Sequence, residues 1–203
     1  MRDDDRVRVG VLASGSGSNL QALLDATAAP DHPARIAVVG VDRPKAGALG
    51  RAQAAGVATF VELLRDHPDR DAFDRALVAQ LKEHGVEWLC LAGYMKIVGA
   101  PLLEAFPGRI LNVHPSLLPA FPGLHAPQQA IDSGATVSGC TVHLVDAGTD
   151  TGPIVAQREV PVLPDDDAAS LHVRIQAVEH VLFPEVLGWA AAGRIRADGS
   201  LRD

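Results

Sequence analysis

Short apolar runs alternate with stretches whose apolar residues recur every three or four positions. This rhythm predicts strand and helix in turn over roughly the first 115 residues. Val7, Val9, Val11 and Leu12 predict a strand that ends in the cluster Ser14-Gly15-Ser16-Gly17-Ser18-Asn19. Leu20, Leu23, Leu24 and Thr27 then share a helix face, which Pro30 stops. Ile36 to Val41 predicts a second strand, followed by an Ala-rich helix from about Ala46 to Ala55 with Gly56 at its end. A strand at Ala58 to Val61 leads to a helix with Phe73, Leu77 and Leu81 on one face, closed by Gly85. Trp88 to Ala92 is continuously apolar, as a strand covered on both faces requires. Pro101 to Phe106 reads as a short helix, and Ile110 to Val113 as the next strand.

The rhythm changes after that strand. Pro115, Pro119, Pro122 and Pro127 predict a stiff irregular loop, with a small helix near Gln128 to Ser133. Val137 to Leu144 and Ile154 to Val160 are separated by a loop too short for a helical crossover, so they predict an antiparallel hairpin. Asp165-Asp166-Asp167 precede a long helix carrying Leu171, Ile175, Val178 and Leu182, and the acids read as a solvated helix start. Pro184 is expected to kink or interrupt that helix before Trp189, and Gly193 onward reads as a short polar tail. The predicted fold class is α/β: a Rossmann-like, mostly parallel doubly wound sheet with a C-terminal antiparallel hairpin extension and a long C-terminal helix. No repeat or linker divides residues 1–203, so one domain is expected, with a parallel half over about residues 7–115 and a second half over about 116–194.

Composition sets limits on this picture. Apolar residues make up 47% of the 203, enough for one packed core. Eighteen basic against 25 acidic residues give a net charge of −7, which argues against nonspecific nucleic-acid binding. An anionic small ligand remains compatible, because backbone amides bind phosphate without a positive net field. Cys90 and Cys140 sit far apart in apolar stretches without metal-ligand spacing, which predicts two buried thiols in a reducing compartment. The eight His residues show no HExxH-type spacing, so no metal is expected. No stretch approaches the ~20 apolar residues of a membrane helix, and the acidic start Met1-Arg2-Asp3-Asp4-Asp5-Arg6 does not read as a signal peptide. A cytoplasmic enzyme with neither membrane nor nucleic-acid partner is expected.

Three segments carry candidate chemistry. Gly15-Ser16-Gly17-Ser18-Asn19 follows a strand and opens a helix, where free N–H groups and the helix dipole favour phosphate. The competing reading is a tight turn with Ser18 or Asn19 as the helix cap. Asn112-Val113-His114-Pro115 lies at the carboxyl end of a predicted parallel strand, where open α/β sheets place ligands. In an extended segment Asn112 and His114 face the same side, pairing an amide donor with an imidazole that can move a proton. Asp146-Ala147-Gly148-Thr149-Asp150 reads by itself as a hairpin loop with Asp turn formers. If it folds toward His114, one carboxylate can orient the imidazole.

Ser14 to Ala22, Ala92-Gly93-Tyr94-Met95-Lys96-Ile97, Asn112 to Pro119, Pro122-Gly123-Leu124-His125 and Asp150-Thr151-Gly152-Pro153 occur in an order that resembles the phosphoribosylglycinamide formyltransferase family. The resemblance covers about Val7 to Arg194. It implies the formyltransferase fold and transfer of a formyl group from the co-substrate 10-formyltetrahydrofolate to glycinamide ribonucleotide, in purine biosynthesis. The implied route is direct amine attack through a tetrahedral intermediate. Asn112, His114 and Asp150 match the family's catalytic trio. Gly15, Ser16, Gly17, Ser18 and Asn19 match its phosphate loop, and Gln176 and Glu179 match a helical segment contacting the same ribonucleotide, with Glu179 on the ribose hydroxyls. Arg70, Met95, Lys96, Ile97, Val98, Asn112, Asp146, Ala147, Gly148, Thr149 and Asp150 match folate-side contacts. Spacing alone would make Glu179 an exposed helix residue and Arg70 a loop charge. Lys96 stands where many members have Arg, and Ala126-Pro127-Gln128-Gln129 replaces a more polar stretch. Oligomeric state stays open, with a homodimer among the expectations.

Within the same superfamily, methionyl-tRNA formyltransferase carries a further RNA-binding domain, for which 203 residues leave little room. Formyltetrahydrofolate hydrolase has an N-terminal regulatory domain, whereas the first strand here starts at Val7. A dinucleotide-binding oxidoreductase is the rival from another class; it lacks GxGxxG and keeps only Val41-Asp42-Arg43 as a ribose-binding hint. A noncatalytic binding module is the remaining alternative.

Overall fold

The computed structural model describes residues 5–202, so most of the acidic start discussed above lies outside the described residues. The apolar runs form strands β1 (Val7–Ala13), β2 (Ala34–Val41), β3 (Ala58–Val61), β4 (Trp88–Leu91), β5 (Ile110–His114), β6 (Val137–Leu144) and β7 (Ile154–Pro161). Between them lie helices α1 (Ser18–Thr27), α2 (Gly47–Ala54), α3 (Arg70–Glu83), α4 (Ala100–Ala105) and α5 (Ala126–Asp132), with α6 (Ala168–Ala191) last. One sheet holds all seven strands in the order β3-β2-β1-β4-β5-β6-β7. The first five named run parallel, and β6 and β7 are antiparallel, as the short 145–153 connection dictates.

Both faces of the sheet are covered, which explains the unbroken apolarity of Trp88 to Ala92. Leu20 and Leu23 of α1 and Leu171, Ile175, Phe183 and Leu187 of α6 pack on one face. Phe73, Leu77 and Leu81 of α3 with Leu102 of α4 pack on the other. The chain leaves β1 toward β2 on one side and returns to β4 on the other. This order reversal opens a crevice at the carboxyl ends of β1 and β4, the usual ligand position in such sheets.

Two sequence expectations are corrected. Helix α6 runs through Pro184 without interruption over 24 residues. Phe183, Val186 and Leu187 are fully buried around it. At about 1.5–3 kcal/mol each, their burial outweighs the roughly 3 kcal/mol cost of an interior proline. Second, neither Ser18 nor Asn19 caps α1: the N-cap is Gly17, in the left-handed region at φ 77°, with no side-chain cap. Cys90 and Cys140 are free and buried as expected, and burial pushes the Cys140 thiol up to about 12. Among the described residues no helix is long and apolar enough to cross a membrane.

The acids before α6 divide their work. Asp167 is the N-cap: its Oδ1 accepts from Ser170 N at 2.8 Å, and Ser170 Oγ accepts from Asp167 N at 3.0 Å. Asp166 instead pairs with Arg174. Removing the cap by Asp167→Ala is expected to lower the urea unfolding midpoint at unchanged m-value. An unaltered midpoint would show that the cap contributes nothing to α6.

Candidate active site

β5 ends in Asn112 and His114, and pairing with β6 sets Asn112 opposite His143 and His114 opposite Thr141. The loop between β6 and β7 folds back over this strand end, bringing Asp150 onto both sequence-predicted partners. Asp150 Oδ2 lies 3.3 Å from His114 Nδ1, and Oδ1 lies 3.5 Å from Asn112 Nδ2 and 3.6 Å from His143 Nε2. Gly123 N donates to Oδ2 at 2.8 Å, tying the proline-rich loop to the same carboxylate. Asp150 adopts φ 55°, a left-handed conformation that Asp tolerates better than most residues but that still stores strain.

Burial alone would raise the Asp150 carboxyl. Hydrogen bonds from His143 and Gly123, with the charge of His114, outweigh it and hold the group below the usual carboxylate range. The second nitrogen of His114, Nε2, sits 2.9 Å from the Phe121 carbonyl. Both ring nitrogens thus face acceptors, a pairing that a ring protonated at both positions satisfies in full. The carbonyl is fixed in turn by Ser116 Oγ, which donates to it at 3.3 Å and to the Ala120 carbonyl at 2.5 Å.

The loop after β6 splits the two readings of its acids. Asp146 is a turn former, its Oδ1 accepting from Gly148 N at 3.0 Å and Thr151 Oγ1 at 2.8 Å. Asp150 is the one that reaches the imidazole.

These residues open into a cavity of about 830 Å³, within the range of small-molecule sites. Met95, Lys96, Ile97, Val98, Asn112, Asp146, Gly148, Thr149 and Asp150 line it. Met95, Ile97 and Leu124 are more than half exposed and give its mouth an apolar surface. Ala147 and Arg70 are not on its walls. Arg70 opens α3 rather than standing in a loop, and its Nε donates to Asp74 Oδ1 at 3.1 Å, with the guanidinium against the Phe73 ring.

The phosphate-loop residues gather separately, beside α6. Gly15 and Ser16 are exposed. The uncapped start of α1 leaves its first N–H groups without a side-chain acceptor. A Cβ on Gly17 would come within 2.7 Å of Ala48 Cα, so only glycine fits there. Arg51 supports the loop from behind, its Nε donating to Ser16 O at 2.8 Å. Asn19 Nδ2 donates to Glu179 Oε2 at 2.8 Å. Glu179 is therefore not the exposed helix residue its spacing suggested: it is 3% exposed, and burial raises its carboxyl despite the Asn19 bond. Gln176 lies one turn earlier on the same helix.

Sequence reading missed His143, Gly123 and Phe121 as parts of the site. His143 was recoverable from the hairpin once the β5–β6 register was known; the two backbone groups carry no signal in their residue types. His172 on α6 also lines the cavity, and burial lowers its imidazole.

Glu179→Gln is expected to raise Tm at pH 8. The native pKa lies above the unfolded value of about 4.3, so the ionised carboxyl destabilises the fold increasingly as pH rises toward the native pKa. The advantage of Gln should shrink toward pH 4; an equal gain at both pH values would remove the buried charge as its cause. Asp150 behaves oppositely. Its stabilising contribution is present above the unfolded pKa of about 3.9 and fades as pH falls through the lower native value. Asp150→Asn should therefore lose stability at pH 7 and approach the parent near pH 2, as followed by urea unfolding.

The formyl transferase family model matches residues 7–187. The phosphoribosylglycinamide formyltransferase of Mycobacterium tuberculosis is 53% identical over 176 residues, covering 87% of this chain and 81% of that protein. The trifunctional purine biosynthetic protein adenosine-3 of Drosophila pseudoobscura pseudoobscura is 48% identical over 198 residues, or 97% of this chain, which spans only 14% of that longer protein. Among solved structures, glycinamide ribonucleotide transformylase 1 from Symbiobacterium toebii superposes with a TM-score of 0.95 at 51% identity, covering 98% of this chain and 94% of that one. With the match extending from β1 into α6, the chain belongs to the formyl transferase family.

Proposed function

We propose that this formyl transferase moves the formyl group of 10-formyltetrahydrofolate to the amine of glycinamide ribonucleotide, releasing tetrahydrofolate. The observation that carries the reading is the convergence of Asn112, His114 and Asp150 on the cavity, with a phosphate-ready helix start after β1, two strands away in the same sheet. The names of the similar proteins point to the same reaction. The cavity's apolar mouth suits the aromatic formyl donor, and Gly15 to Asn19 with Gln176 and Glu179 suit the phosphate and ribose of the acceptor.

The reaction needs a neutral amine to attack the formyl carbon, forming a C–N bond and a tetrahedral adduct with a negative oxygen. Asn112 Nδ2 and the protonated His114 ring donate to that oxygen. Collapse breaks the bond from carbon to the folate nitrogen, and the proton lost by the amine ends on that nitrogen. Asp150 keeps His114 oriented and organises the proton's passage. The contacts at Asp150, 3.3 Å to His114 and 3.5 Å to Asn112, are long enough for both N–H groups to be shared with a substrate oxygen. The shorter bonds, 2.8 Å from Gly123 and 2.9 Å between His114 and Phe121, hold the frame meanwhile.

Buried, fully engaged carboxylates and imidazoles also serve purely structural ends, and kinetics separates the two roles. Formylated ribonucleotide should appear only with both substrates present. His114→Ala and Asp150→Asn should each lower kcat by about 10²–10⁴-fold, with both KM values changed little. Release of formate from the donor without the ribonucleotide would instead indicate a hydrolase. Full activity in His114→Ala would remove the catalytic assignment.

A further inference from the structure

The 93–99 loop after β4 walls the cavity, and its residues alternate although no strand pairs with them. Met95 and Ile97 face out at 58% and 67% exposure, whereas Tyr94 and Val98 are buried. Lys96 falls on the inward set, its side chain 24% exposed. Its Nζ lies 3.2 Å from Oδ2 of Asp42, the residue that follows β2. The Asp42 side chain is 1% exposed. Neither of its oxygens has an aligned hydrogen bond among the described residues, and Oδ2 meets the ammonium as an ion pair only.

A carboxylate so deeply placed and so poorly supplied with donors depends on its one counter-charge, and the counter-charge is held there in turn. The same burial removes the ribose-binding reading of Val41-Asp42-Arg43, because this carboxylate is engaged from within. The loop is pinned elsewhere as well: Gly93 O accepts from Ser14 N at 3.1 Å, Met95 N donates to Ser14 Oγ at 2.9 Å, and Gly99 N to Asp74 Oδ2 at 2.8 Å. Lys96 and Asp42 fasten the span between them. A compact ammonium suits a single carboxylate oxygen in this space, where the planar fork of Arg would seek two.

We propose that Asp42 is a positioning residue for the formyl donor: through the Lys96 ammonium it fixes the 94–98 loop in the shape that presents Met95 and Ile97 at the cavity mouth. Lys96 borders the cavity, but its ammonium is engaged by Asp42 and is not a charge contact to the donor. This rests on the donor-side reading of the cavity given above.

The test joins amide hydrogen exchange of residues 94–98 in the ligand-free protein to steady-state kinetics of Asp42→Asn, Lys96→Met and the double variant. Each single change should speed exchange and raise the KM for 10-formyltetrahydrofolate about tenfold, with kcat and the ribonucleotide KM within about twofold of the parent. The double variant should be no worse than the poorer single, because both remove one interaction. Lys96→Arg, keeping the charge, should recover part of the donor KM lost in Lys96→Met. A donor KM that rises in Lys96→Met but not in Asp42→Asn would mean that Lys96 touches the donor, and would overturn the proposal, as would multiplying effects. Unchanged exchange in both singles would reject the latch itself. Faster exchange with an unmoved donor KM would overturn the positioning role together with the donor-side reading of this wall. Should Asp42→Asn fail to fold, Lys96→Met against Lys96→Arg carries the same comparison of exchange and donor KM.

Discussion

The carboxylate of Asp150 gathers three parts of the chain at one point. It receives Gly123 N from the proline-rich loop, faces His114 and Asn112 on β5, and faces His143 on β6. Those contacts require the residue to sit at φ 55° in a loop that would otherwise be free to turn away. The left-handed backbone there is strain that the contacts of a largely buried carboxylate offset. Charge pairing at Asp150 thus adds to the turn bonds of Asp146 in holding the hairpin loop, and with the Phe121 carbonyl it holds the imidazole.

The sheet supplies the place for this interaction. Order reversal between β1 and β4 leaves two loops, 14–19 and 93–99, side by side at the strand ends. They are clasped to each other: Ser14 N donates to Gly93 O at 3.1 Å, and Ser14 Oγ accepts from Met95 N. The phosphate-ready start of α1 and the apolar mouth of the cavity consequently share one buried serine. A displacement of either loop is felt by the other, so the two halves of the site are built as one frame.

Much of this was legible beforehand, for identifiable reasons. Short, strongly periodic runs such as Ala58 to Val61 and Val137 to Leu144 leave few alternatives for local structure, and the brief connection after β6 dictates an antiparallel turn. Asn112 and His114 could be paired because strand geometry sends alternate residues to one side. Spacing failed where partners come from distant sequence. Glu179 looked exposed because helix position reveals nothing about the Asn19 amide 160 residues away. Arg70 looked like a loop charge because its neighbours Asp69 and Asp71 mask an N-cap and first turn. Pro184 misled because a local rule was weighed without the apolar face that Phe183, Val186 and Leu187 bury. The approach of Asp150 to His114 depended on a loop conformation that residue types only permit.

The net charge of −7 sits oddly with a proposed pair of anionic substrates until the cations are followed individually. Lys96 faces Asp42, Arg70 faces Asp74, and Arg51 donates to Ser16 O and to Gln21. Each is engaged with the frame, although Lys96 also borders the cavity. A substrate phosphate would therefore be held chiefly by the N–H groups of an uncapped helix, which are fixed dipoles needing no side chain to be ordered on binding. This arrangement suits a transferase whose reacting amine must be neutral to attack. A cluster of free cations would favour the phosphate, but Asp150 serves as the local anion that holds His114, and added positive charge would weaken that hold. A net negative chain and a phosphate held by backbone N–H groups are then compatible.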